Sequence, residues 1–430
     1  MRKISFRLLS CLLAGIAVLL SVAGCYKVAP ATTKTYTYTL YTPITEMKST
    51  YLAAINGDPA KKIDSAGKIF RKDPWIFLND VDEGIHIIDN SDPRHPQQVA
   101  FLSIPGNQEI SVRGNTLYAD MYGDLLAIDI TDPLHAKVKG YAYNVFKQRA
   151  FVHGYSTDSL HVIVGWTEKD TTVTVTVSNY GCRNCMYDML TVPGQMYAAA
   201  AAASSDKSTG IGGSTAGMTL IGDYIYAIGE PHSLTTLALG PNGVPSTLAT
   251  QFVGFDLETI FPFQDKLFLG SKQGVYMYQI SNPATPLAIG QFSHGRACDP
   301  VVSDGDYAYV TLRTGTSCGG ADNELDVVDV RDPAHAVLVK SYPMVTPQGL
   351  GKDGNLLFVC DAGQGVRLLD ASNPQALQTI GKIGAGSPTD VIAAGNRLLV
   401  VDKTGFSQYD YSNSRQIDLL SYYSTQKGSN

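Results

Sequence analysis

The chain has 430 residues, 44% of them hydrophobic and 17% charged, with a formal net charge of −6. That apolar content supplies a sizeable core and excludes a wholly disordered chain. An acidic balance without a basic patch excludes a nucleic-acid-binding surface as the expected task.

The N-terminus is read first. Arg2, Lys3 and Arg7 precede an apolar run over residues 8–22, too short and wrongly flanked for a stable membrane span, which ends in Val22-Ala23-Gly24-Cys25. This run resembles a bacterial lipoprotein signal with its lipobox. The resemblance implies cleavage before Cys25 and diacylation of its thiol, leaving 30 basic and 39 acidic residues and a mature charge of −9. Tyr26 follows the cysteine where aspartate would imply inner-membrane retention, so the expected location is the outer membrane, lipid-anchored. Residues 1–24 are thus read as leader and 25–66 as a lipidated N-terminus and tether, rich in Thr and Pro.

From residue 67 the signal changes to short apolar runs broken by turn residues, an all-β pattern. Residues 347–374 hold two such runs, Leu356-Leu357-Phe358-Val359 and Val366-Arg367-Leu368-Leu369, separated by a glycine-containing reversal and closed by Asn373-Pro374. The cadence recurs, with closing marks at Pro93, Pro133, Pro283, Pro333 and Pro374, and Ser414 in the same slot of a last copy. The common gap, near 40 residues, is the length of a four-stranded propeller blade. The long gap after Pro133 takes further units, one clear near Gly222-Asp223-Tyr224 and one degenerate over 160–177. The expectation is a β-propeller over residues 67–422 with eight blades, or seven if the unit at 148–190 is an insertion. Residues 179–213 read as an insertion loop and 423–430 as a tail.

The units GIHIIDNSDP, LLAIDITDP and LDVVDVRDP, with the run HGRACDPVVSDGDYAYVTLRTGTSCGG, resemble the LVIVD repeat of lipoproteins from Bacteroidetes-type bacteria. The resemblance implies a propeller-like fold and carries no settled catalytic activity.

Aligning the units places Glu109, Glu258, Asp299, Gln348 and Asp390 at one position, just before or within the first strand of their blades. First strands line a propeller's channel, so these side chains are expected at one rim of it. There they would either hold a hard cation such as calcium or a polar ligand, or line a wet channel while accepting backbone N–H bonds. His294, Arg296 and Arg313 flank Asp299 and suit either an anionic or sugar ligand or a structural pairing of Arg313 with Asp299.

Asp89, Asp129, Asp329 and Asp370 are expected to cap turns through Asx-type bonds, and His95, His135 and His335 to be turn residues. Cys182 with Cys185 reads as a local disulfide, and Cys298 with Cys318 as a bridge contributing about 3 kcal/mol. Cys360 reads as a buried free thiol. Linear signatures of serine hydrolases, zinc proteases, phosphate loops and dinucleotide folds are missing from the sequence.

The function expected is a non-catalytic binding or scaffolding module for an envelope protein or a glycan. The alternative is a glycan-directed or metal-assisted hydrolase or lyase using Glu258, Asp299, His294 and Arg296.

Overall fold

Strand follows strand in a computed structural model of the chain, which describes residues 32–177, 211–295, 300–315, 322–384 and 386–424. Among them are seven antiparallel sheets, each built on four consecutive strands, at 66–103, 110–142, 218–252, 257–293, 301–343, 347–383 and 390–424, the first with Ile211–Gly212 added as a fifth strand. These are blades 1 to 7, and no blade borrows a strand from the opposite end of the chain. The described residues divide into two units, one holding residues 32–42 and 166–177, the other holding all seven blades.

Turn chemistry makes each blade. Between third and fourth strands, Asp89, Asp129, Asp329, Asp370 and Asp410 each accept the N–H two residues on, at 2.8–3.1 Å. Asp92, Asp132 and Asp332 repeat the device one step later and also hold His95, His135 and His335 in their own turns at 2.7–2.8 Å. Those histidines therefore belong to separate, exposed turns.

The core lies between blades, where one sheet packs on the next. One cluster joins blades 2 and 3 through Tyr118, Leu125, Phe146 and Leu237, another joins blades 7 and 1 through Ile76, Leu78, Leu399 and Phe406. Polar bonds repeat at the same seams. Tyr118 Oη donates to the Gly243 carbonyl at 2.9 Å and Tyr226 Oη to the Pro283 carbonyl at 2.8 Å, each from a second strand to the closing turn of the next blade. Blades 7 and 1 join through side-chain bonds: Asn90 and Gln408 exchange two amide bonds at 3.0 and 2.7 Å, and Ser421 Oγ donates to the Pro93 carbonyl at 2.7 Å.

Two readings need correction, and they are one correction. The unit at 148–190 is not a blade; after a two-residue hairpin, His161–Val177 runs as one 17-residue strand. Its last seven residues, Thr171 to Val177, are all β-branched and favour an extended chain. Its partner is Thr32–Met47, a 16-residue strand within the stretch read as a tether. Thr and Tyr alternate there, and both residue types favour an extended strand over a flexible linker. The blade count is therefore the alternative of seven, with the third unit an insertion.

The closure makes a prediction. Gln408→Ala leaves the buried Asn90 amide unpaired and is expected to destabilise the chain by about 1–3 kcal/mol in urea or guanidinium unfolding. Adding Asn90→Ala should cost less than a second increment of that size, because the two amides form one interaction.

Candidate functional site

A segment of the chain crosses between the inner strands of the blades. Ile211–Gly212 pairs with the inner edge of blade 1, Ile211 opposite Arg71 and Gly212 opposite Phe70. The five residues that follow cross the axis. Ser214 reaches blade 7, where its N–H and Oγ meet the Asp390 carboxylate at 3.0 and 3.2 Å, and blade 6, where its Oγ accepts the Leu350 N–H at 2.5 Å. The Ala216 carbonyl accepts the Ile260 N–H of blade 4 at 2.6 Å. Gly217 lies against Glu109, at the inner edge of blade 2. One short segment touching blades 1, 7, 6, 4 and 2 can only lie on the axis of the ring.

Glycine is required for that passage. A Cβ at Gly213 would stand 2.2 Å from Asp390 Oδ2, and one at Gly217 would stand 2.7 Å from Glu109 Oε1. Neither carboxylate could remain where it is beside a larger residue.

Each described carboxylate of the expected rim is engaged within the chain. Asp390 accepts from Ser214, from Thr215 Oγ1 at 3.3 Å and from the Val391 N–H at 2.9 Å. Burial pushes its carboxyl up to about 6 even against these donors. Glu109 is buried between Lys68 and Arg149, and Arg149 Nη2 meets its Oε1 at 2.8 Å. Burial alone would raise the Glu109 carboxyl; the two cations override it and hold it below the usual range. Arg149 also reaches Asp120 at 2.5 Å, and burial raises the Asp120 carboxyl despite that contact.

Glu258 lies 3.4 Å from Lys272 and within the field of Arg313. Burial raises its carboxyl, with Lys272 and Arg313 pulling back, and burial likewise lowers Arg313. Among the described residues the charge beside Arg313 is Glu258. His294 stands in the field of Glu324 and Asp326 and its ring packs 6.3 Å from Phe292. Gln348 contributes its backbone carbonyl, which accepts Thr311 Oγ1 at 2.7 Å. Arg296 and Asp299 lie outside the described residues, as do Cys25, Cys182, Cys185, Cys298 and Cys318. Cys360 is buried and free. Among the described residues no three His, Cys, Asp or Glu side chains come together as a metal site, so a calcium-binding rim has no described ligand set.

The alignment of inner strands overlooked a second repeated carboxylate, at the end of the second strand. Asp80 accepts the N–H groups of Asp64 and Ser65, Asp120 those of Gln108 and Glu109, and Asp361 those of Val345 and Thr346. Each also meets a basic side chain, His86, Arg149 or Arg367 respectively. The signal was an aspartate closing the apolar runs FLND, LYAD and FVCD.

Asp390 makes a pH prediction. With a folded pKa near 6 and an unfolded value of about 3.9, its contribution is fully present below about pH 4 and is lost as pH rises through 6. Asp390→Asn should flatten that slope by about 2–3 kcal/mol between pH 4 and 7.5, measured as unfolding free energy at both.

The LVIVD repeat model matches residues 106–143 and 294–343. Comparison with curated proteins finds no match. Among solved structures, the computationally designed Ika8 protein is similar at TM-score 0.50 and 9% identity, over 85% of this chain and 89% of that one. Sqt1 of Saccharomyces cerevisiae gives 0.49 and 11% over 85% and 87%, and the periplasmic gluconolactonase PpgL of Pseudomonas aeruginosa gives 0.49 and 11% over 79% and 92%. At such identities the likeness to Ika8 is one of fold alone. The blades and the matched segments together identify the chain as a seven-bladed β-propeller that carries LVIVD repeats.

Proposed function

We propose that the protein is a lipid-anchored propeller of the cell envelope that binds or scaffolds a protein or glycan partner without transforming it. The observation that carries this reading is the occupied axis. The place where a propeller would gather polar groups around a ligand is filled by residues 213–217, and Glu109 and Asp390 are spent on holding that segment or on internal cations. A module of this kind works from its outer faces. Lipid anchoring at Cys25 and an outer-membrane location follow from the leader motif, and no helix among the described residues is long and apolar enough to cross a membrane.

The contact face we favour is the end of the ring where the chain passes from each outer strand to the next inner one. Phe252 and Phe255, about 60% exposed, stack edge to face at 5.4 Å there, with His232 6.1 Å from Phe252. At the same end Tyr143 and Phe151 line a polar cleft of about 230 Å³ that includes Asp124 and Lys147. Exposed rings beside polar groups suit an aromatic-anchored protein contact or stacking on a sugar face.

The test is capture from native membranes, with and without chelator. Phe252→Ser with Phe255→Ser is expected to reduce recovery of the partner at least tenfold, and Glu258→Gln to leave it unchanged. Turnover of a screened glycan that disappears in Glu258→Gln would replace this reading by the hydrolytic one.

A further inference from the structure

The paired strands Thr32–Met47 and His161–Val177 have two unlike faces. On one, Thr35 meets Thr174 at 3.3 Å, Thr37 meets Thr172 at 3.1 Å and Thr39 donates to Asp170 at 2.9 Å. The partners run in opposite directions, so the strands are antiparallel, and alternation fixes the other face. That face presents Tyr36, Tyr38, Leu40, Val173 and Val175, from 38% to 52% exposed. Exposed Lys34 and Lys169 stand on the same face. Among the described residues this sheet has two strands.

Such a ribbon is marginal in water by itself and gains stability from something laid against its apolar side. Tyrosines carry an apolar ring and a polar tip, and lysines can keep their ammonium among phosphates while the stem lies on hydrocarbon; together they match the boundary layer of a bilayer. Covalent geometry gives the second argument. Six residues separate Cys25 from Thr32, and even fully extended they span at most about 25 Å. An acyl chain on Cys25 therefore fixes the start of the ribbon close to the lipid headgroups.

We infer that the Tyr36, Tyr38, Leu40, Val173 and Val175 face lies on the membrane surface as a second contact beside the acyl chains. The inference rests on the anchoring reading above. The acyl chains hold Cys25 in the bilayer, and a second contact slows their exit and orients the first strands against the bilayer.

Nitration by tetranitromethane tests it within one molecule, because Tyr36, Tyr38 and Tyr143 are 52%, 50% and 53% exposed. In wild-type protein reconstituted through its own anchor into phosphatidylethanolamine and phosphatidylglycerol vesicles, Tyr36 and Tyr38 should react at least fivefold more slowly than Tyr143. Equal rates at all three in a protein that floats with the vesicles overturn the inference and leave the anchor standing. Protection that grows with protein density at constant lipid assigns the face to a second copy of the chain, and also overturns it. The intact mass reads the anchor separately: a protein without acyl groups on Cys25 removes the ground for both. The paired variant Tyr36→Ser with Tyr38→Ser is expected to keep the acyl mass and to leave vesicles for acceptor vesicles at least fivefold faster, whereas an unchanged transfer rate counts against the contact.

Discussion

The inner edges of seven sheets meet around one line, and polar groups buried there cost free energy unless they find partners. The chain meets this constraint with its own backbone. Residues 211–217 leave the insertion, add two residues to the edge of blade 1, and then offer the Ser214 N–H and hydroxyl to blade 7, the same hydroxyl oxygen to blade 6 and the Ala216 carbonyl to blade 4. The unpaired edge groups that would otherwise be orphaned on burial are satisfied in this way. The rest of the account follows from that occupancy. An axis crossed by the chain leaves the faces of the ring for the recognition proposed above.

The same segment explains why buried carboxylates are tolerated. Asp390 is surrounded by hydroxyl and N–H donors rather than cations, and its carboxyl rises toward 6. Glu109 and Asp120 instead share Arg149, which arrives from the short helical turn Lys147–Ala150 that opens the insertion. The insertion thus supplies both an axial strand and a buried cation to blades that precede it in the chain. Removing one partner of such a group leaves an uncompensated buried charge, so these residues are tied to each other more tightly than surface pairs are.

Most of the ring was legible in the sequence because five blades carry Asp-x-x-Asp-Pro or a near relative between third and fourth strands, whose side chains bond to their own turn. That is local chemistry, and it can be read from a few residues. The axial segment was not legible. Gly212-Gly213-Ser214-Thr215-Ala216-Gly217 has the composition of a loop, and its glycines are there for close approach to Asp390 and Glu109, which are 173 or more and about 100 residues away respectively. The ribbon failed for a related reason: Thr-Tyr alternation and Thr-Val alternation each look like edge or linker alone, and become a sheet only when paired across more than 100 residues. Glu109 and Asp390 stand out in the repeat, but Lys68, Arg149 and Ser214, which bond to them, come from other parts of the chain.

Hydrogen exchange at single amides tests the filled axis most directly. The N–H groups of Leu350 and Ile260 bond to Ser214 and Ala216 and to no neighbouring strand at those positions. If the segment occupies the axis, they and the Ser214 N–H exchange as slowly as the second-strand amides of blades 4 and 6. Exchange at the rate of exposed turns would mean an open channel, and would contradict the account.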